Sequence, residues 1–339
     1  MAKKGAKKSK GLKAKARCVI GIDIGGTNIV SVIVDRGAKV VAKVDFPTEG
    51  AKGPDYVIRN MAKNVKAMTV KAGLSHKDIA FCGIGSPGPL DSKKGIIMGA
   101  VNLPGWKRVM LKDKMEKLLG VPVGVDNDAN CAVYGEVWAG AAKGAKNVTG
   151  LTLGTGVGGG IIIDGRLVRG ANYNAAEIGH TSLNPDGREC KCGAKGCFEQ
   201  YASASAIAES AREGIRNGRR SLITEFVRGD MTKITSKTVY DALVQGDKYA
   251  QEVWSEFIKY LGAGIANIIN GLNPEVVVIA GGVIEAGDRL FKPLNDAVRR
   301  QTFSLTFSAA KIVPAKLGGL AGAIGAAGLV INESDFYGL

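Results

Sequence analysis

His180, Cys190, Cys192 and Cys197 spell H-x9-C-x-C-x4-C. Three soft thiolates and one imidazole are the donor set a tetrahedral Zn²⁺ takes in a closed structural site. Gly193 and Gly196 separate the last ligands, where a tight metal loop needs backbone freedom. The competing reading is three free thiols beside an unrelated histidine. Free thiols are usually buried, whereas residues 186–197 are rich in Lys, Arg, Asp and Gly, which favours the metal. Four protein ligands leave no open position, so such an ion is structural rather than catalytic.

Two glycine turns suit phosphate. Asp23-Ile24-Gly25-Gly26-Thr27-Asn28 lies between two apolar runs. Its glycines can aim backbone N–H groups at a phosphate, Thr27 can add a hydroxyl, and Asp23 can hold Mg²⁺ directly or through water. The plain alternative is an ordinary hairpin turn. Gly154, Gly156 and Gly159 match G-x-G-x-x-G, but the β-rich run Gly160–Ile163 follows where a dinucleotide fold needs a helix. A Rossmann site is thereby excluded, and the absence of G-x-x-x-x-G-K-[ST] at either turn excludes a Walker-A loop. Two strand–turn–strand loops fit a nucleotide gripped across a cleft.

Asp126-Asn127-Asp128 stands where a strand passes into a helix, a common place for catalytic groups in open α/β sheets. Phosphoryl transfer to an alcohol needs a carboxylate that orients the hydroxyl and takes its proton. The same residue types are also preferred helix N-caps, and one residue can cap while another reacts. Glu177, His180 and Glu199 flank the metal loop and can accept hydrogen bonds from sugar hydroxyls; surface acids beside a metal loop are the alternative. Trp106, Trp138 and Trp254 read as core residues.

The elements that must position these groups follow from periodicity. Val19–Ile24, Ile29–Val34 and Lys39–Asp45 read as antiparallel strands. Val57, Met61, Val65 and Met68 recur at helical spacing until Gly73. Ile79–Gly85 is a buried strand leading into Ser86-Pro87-Gly88-Pro89. Leu111–Leu119 is helical, Val121–Val125 a strand, and Ala129–Ala142 a helix. At Thr149 the pattern restarts: strand Gly150–Leu153, turn Gly154-Thr155-Gly156, strand Gly160–Ile163. This echo of residues 19–34 suggests two domains of related fold. Helices dominate 203–272, Val276–Ala280 is a strand before Gly281-Gly282, and the Gly/Ala-rich run Gly318–Val330 is a closely packed helix. The expected domains are 18–128, completed by 318–339, and 129–317.

The chain has 339 residues, 48 of them glycine, about twice the usual share. Residues 1–17 carry seven Lys and one Arg without an acid, so this leader supplies +8 of the net +15. It reads as a solvated, disordered tail with weak contact to nucleic acid as the alternative; nucleic acid is not otherwise an expected partner. The leader is too short for a helix-turn-helix domain and lacks the features of a signal or transit peptide. No apolar stretch approaches the roughly 20 residues of a membrane span. Six cysteines, three scattered and three clustered, are no disulfide framework, and a reducing cytoplasm is the expected compartment.

As an ordered set, these motifs resemble the ROK family of sugar kinases, its bacterial glucokinases most closely, over nearly all of residues 18–330. The resemblance rests on Gly21–Asn28, Gly83–Asp91, Asn102-Leu103-Pro104-Gly105-Trp106, Asn127–Asn130, Leu153–Gly160, Glu177–His180 and Cys190–Glu199. It implies an actin-like (ribonuclease-H-like) fold of two α/β domains around a cleft. It implies that Asp128 is the base acting on a hexose 6-hydroxyl, and that Gly85, Asn102, Asn127, Glu177, His180 and Glu199 contact the sugar. His180 would place one ring nitrogen on zinc and the other on the sugar. Asp23, Gly25, Gly26 and Thr27, with Gly154, Thr155 and Gly156, would cradle the ATP phosphates, and Gly281 and Gly282 would lie by the adenosine. A homodimer or higher homo-oligomer is the usual assembly. Glucose is the expected acceptor; fructose, mannose, allose or an N-acetylhexosamine, polyphosphate as donor, and a sugar sensor without kinase activity are the alternatives. Two departures from the family pattern are the Lys-rich leader and Phe198, where Leu is commoner.

Overall fold

β-branched residues pack well on a pleated, half-buried surface, and the chain opens with three such segments. In the computed structural model, which describes residues 17–100 and 103–339, they form β1 (Cys18–Ile24), β2 (Asn28–Asp35) and β3 (Val40–Pro47). Neighbours in this series pair antiparallel. β4 (Ile79–Ser86) runs parallel to β1. A small sheet of β5 (Leu90–Asp91), β6 (Ile96–Ile97) and β7 (Val109–Met110) follows, and β8 (Val123–Asn127) then joins parallel to β4. The order is β3-β2-β1-β4-β8.

The two faces of this sheet are packed differently. Side chains alternate along a strand. Cys18, Ile20, Ile22 and Ile24 enter an apolar cluster with Val57, Met61, Val65 and Met68 of the helix Pro54–Lys71. The intervening Gly21 faces the other side, in register with Gly83 of β4, which is in register with Gly124 of β8. These three glycines form a row across the sheet. The helix Ala321–Asn332 lies directly on it: a Cβ at Gly21 or Gly83 would collide with the carbonyl of Ala323 or Ala326, and one at Gly124 would stand 2.5 Å from Val330 Cγ1. The same helix meets Asp128–Ala139 backbone to backbone, with Gly325 against the Cys131 carbonyl and Gly135 against that of Ala321. Small residues are therefore a packing requirement here.

The second sheet repeats the scheme. β9 (Val148–Leu153), β10 (Val157–Ile163) and β11 (Arg166–Leu167) pair antiparallel, and β12 (Val276–Ala280) and β13 (Lys311–Pro314) extend it in parallel, giving β11-β10-β9-β12-β13. Its core is built on the helix Lys248–Leu272. Two compact units result. One comprises the described residues up to Ala139 with Gly170–Asn174 and Gly319–Leu339; the other comprises Gly140–Arg169 and Ala175–Gly318. The helix Asp128–Ala139 thus lies in the first.

Several elements differ from the periodicity. β8 starts two residues later than the apolar run, because Pro122 has no N–H for a ladder; its carbonyl accepts the Cys82 N–H at 3.0 Å. The helix Asp288–Arg299 carries an internal Pro293, which reads as a helix breaker. Pro293 frees the carbonyl of Arg289, and the indole Nε1 of buried Trp254 donates to it at 3.2 Å. Trp106 is also buried, whereas Trp138 is half-buried. Phe198 is fully buried, its ring filling the space left by Gly264. The leader, except Arg17, and Asn102 lie outside the described residues. No helix among those described is long and apolar enough to cross a membrane.

Candidate active site

In the first unit, candidate residues meet at the end of β8. Asn127 caps the helix Asp128–Ala139: its Oδ1 accepts the N–H of Ala129 at 2.9 Å and of Asn130 at 3.2 Å. A helix start leaves such donors unpaired. Asp126 is buried, and its Oδ1 accepts from Asn127 N at 2.9 Å and Asn130 Nδ2 at 3.0 Å. With these neighbours occupied in structure, Asp128 presents a partly buried carboxylate whose Oδ1 accepts the Ala129 N–H at 2.8 Å. Burial raises its pKa, against the lowering effect of backbone N–H groups and the Asn127 side chain. A carboxyl with increased proton affinity suits general-base work.

The strand register sets Gly85 between Asp23 and Asp126. A Cβ there would stand 3.2 Å from Cys131 Sγ and 3.6 Å from Asp128 Cα, so the glycine admits the helix that carries Asp128. Asp23 is pushed up to about 7, by burial first and by the charge of Asp128 second. The turn after it is tightly closed. Gly25 N donates to Asn28 O at 3.0 Å. Thr48 Oγ1 donates to Gly25 O at 2.6 Å and Thr48 N to Thr27 O at 2.8 Å. Gly26 and Thr27 are exposed. Buried Thr48 was missed from sequence: it stands just beyond β3 and belongs to no motif.

In the second unit, Gly154 N donates to Gly156 O at 3.0 Å, and Ala204 N donates to Gly154 O at 2.9 Å. Thr155 is exposed. Gly281, at φ 112°, lies against the Leu153 carbonyl, where a Cβ would collide, so the Gly281-Gly282 turn abuts the start of the Gly154–Gly156 turn. Both leave the same, C-terminal end of the parallel pair β9–β12.

The side-chain donor atoms of His180, Cys190, Cys192 and Cys197 all lie within 4.8 Å of one another. Cys192 Sγ is 3.6 Å from Cys197 Sγ, and Cys190 Sγ is 3.7 Å from His180 Nδ1. A tetrahedral ion with bonds of about 2.3 Å holds its ligands about 3.8 Å apart, so the set fits a four-coordinate metal. Gly193 and Gly196 take φ of 93° and 70°. His180 turns Nδ1 into the cluster and Nε2 outward, 4.0 Å from the exposed Glu177 carboxylate. Glu199 reaches two ways. Its Oε1 is 3.3 Å from Cys190 Sγ and 3.9 Å from His180 Nδ1. Its Oε2 lies 2.5 Å from where a Gly156 Cβ would stand. The Cys190–Cys197 loop and the Gly154–Gly156 turn therefore meet through this carboxylate.

Residues 19–333 match the model of the ROK family. A glucokinase of Halalkalibacterium halodurans is 40% identical over 321 residues, covering 94% of this chain and 96% of the relative. Among solved structures, the ROK hexokinase of Thermus thermophilus superposes with a TM-score of 0.81 at 31% identity, covering 94% of this chain and 99% of its own. A ROK family glucokinase from Streptomyces griseus, in complex with glucose and AMPPNP, gives 0.75 at 34% identity, covering 92% and 98%. The paired strand orders and these matches establish the expected actin-like fold, and the chain belongs to the ROK family.

Proposed function

We infer that the chain is a sugar kinase that transfers the terminal phosphoryl group of ATP to the 6-hydroxyl of a hexose, with glucose as the acceptor. The observation that carries this reading is the Asp128 carboxylate at the start of its helix, partly buried and of raised proton affinity, in a chain akin to glucokinases over almost its whole length. In the proposal Asp128 orients the hydroxyl and accepts its proton as the oxygen attacks phosphorus. Asn127, Glu177, outward Nε2 of His180 and Glu199 bind sugar hydroxyls, with Gly85 and Asn102 at the same subsite. Gly25, Gly26, Thr27, Gly154, Thr155 and Gly156 receive phosphate oxygens on backbone N–H groups and hydroxyls, and Gly281 and Gly282 border the adenosine.

Asp23 would hold Mg²⁺, which when bound offsets the phosphate charge. The thiolate-rich set at these separations fits Zn²⁺: His180, Cys190, Cys192 and Cys197 would hold it as a structural ion that fixes the His180 ring. Buried cysteines at 18, 82 and 131, none of them in a disulfide, suit a reducing cytoplasm. A homodimer or higher homo-oligomer completes the reading.

The test is ADP release with a panel of hexoses at fixed ATP and Mg²⁺, run beside Asp128→Asn. Strong turnover with glucose, lost by about 10²–10⁴-fold in kcat in the variant while sugar still binds, is expected. No turnover with any hexose in folded, metal-loaded protein would overturn the reading.

A further inference from the structure

Nothing in the motifs draws attention to residues 334–337, yet their short helix reaches the base-bearing strand. Tyr337 is buried, and its hydroxyl donates to Asp126 Oδ2 at 2.7 Å. The other oxygen of Asp126 holds the Asn127 N–H and the Asn130 side-chain amide. Those two residues bracket Asp128, one before it and one in the first turn after it. One carboxylate thus clamps both flanks of the base, and its own orientation is set from the side of Tyr337.

Tyr337 is itself held. Its ring lies over Gly124 of β8, where a Cβ would stand 3.0 Å from the ring Cγ. Phe336 packs edge-on at 4.9 Å between centroids. Lys112 Nζ donates to the Tyr337 carbonyl at 2.8 Å, and Lys93 Nζ donates to that of Phe336. The glycine row that seats the helix Ala321–Asn332 thus ends, at Gly124, under the aromatic ring that reaches Asp126.

We propose that Tyr337 is a positioning residue for phosphoryl transfer: through Asp126 it fixes the angle at which Asp128 meets the acceptor hydroxyl. The inference rests on the assignment of Asp128 as base. A buried carboxylate that loses one donor turns toward those that remain, and among those are the amides on either side of Asp128. Substrate binding is not chiefly what the clamp supplies. Its loss lowers kcat by more than it raises KM for the sugar, since Asn127 is held by the same carboxylate, and leaves KM for ATP alone.

The test compares Tyr337→Phe, which keeps the ring and removes one hydroxyl, with wild type and Asp128→Asn. kcat, KM for glucose and ATP, and the melting temperature are measured on the metal-loaded full chain. The expected result is a kcat lowered about tenfold per folded molecule, with KM for ATP within about twofold and KM for glucose moved less than kcat. Lys112→Met, which loosens the same helix without touching the hydroxyl, is expected to shift kcat in the same direction by less. If Tyr337→Phe keeps kcat within about twofold while Asp128→Asn is inactive, the positioning role is overturned. The same holds if its kcat falls only in proportion to the unfolded fraction. If Asp128→Asn turns over normally, it is the base assignment that fails, and this inference falls with it.

Discussion

The two glycine turns share a local plan, a strand, a tight turn and an antiparallel strand, yet they are completed in opposite ways. The turn at Asp23–Thr27 carries its own carboxylate and is closed by Thr48. The turn at Gly154–Gly156 has no acid of its own. Glu199 is delivered to it from the metal loop, and the Gly281-Gly282 turn abuts its start. One turn is closed by a residue just past the next strand; the other depends on a segment more than forty residues further along. A repeated backbone motif therefore fixes where donors point, while the chemistry around it is supplied separately in each copy.

The largest effect expected along this contrast is in the first turn. A Cβ at Gly25 would stand 2.6 Å from the Asn28 carbonyl, a backbone atom that cannot step aside. Gly25→Ala should displace the turn and lower kcat/KM by about 10²-fold, measured by steady-state kinetics; near-normal activity would show that the turn does not touch the phosphates. Metal removal should strike only the second turn. Stripping the ion by chelator frees His180 and Glu199, so sugar affinity by calorimetry should fall about 10–100-fold; unchanged affinity would break the link between the metal loop and the sugar subsite.

A smaller effect concerns pH. Asp23 titrates near 7 in the fold against an ordinary value near 4. Below pH 4 it is protonated in both folded and unfolded chains. As pH rises to 7 the unfolded chain loses this proton first, so the carboxyl progressively disfavours folding, and above 7 the cost is constant. Asp23→Asn should therefore melt higher than wild type without Mg²⁺, by a margin that widens from pH 5 to 7 and then levels; a margin flat across this range would contradict the burial argument. The smallest effect is expected at Gly154. Its Cβ position is open, so Gly154→Ala should leave the melting temperature unchanged. Any loss of ATP affinity would then report close approach of the nucleotide.

Much of the site was legible because its signals are local. The thiolate and imidazole spacing needs only a loop to close on itself, and both glycine turns sit between adjacent strands. Asp128 was placed at a strand-to-helix junction by an apolar run and a helical one. Which residue caps that helix was not fixed by type, since Asp and Asn both serve; the structure gives the task to Asn127. The elements from Asp288 to Pro314 were not assigned, because Pro293 masks one helix and β13 is short and half-exposed.

The sequence by itself determined the cluster of His180, Cys190, Cys192 and Cys197, the two turns, the small residues of the helix Ala321–Asn332 and the carboxylate at the end of β8. Each is decided by neighbours along the chain, whose spacing reflects helix, strand or turn geometry. Tertiary structure alone decided that Gly21, Gly83 and Gly124 line up to seat that helix, that Thr48 closes the first turn, that Glu199 meets Gly156, and that Tyr337 reaches Asp126 from 211 positions away. These depend on strand register and on which helix lies on which face of the sheet, and no local periodicity carries either.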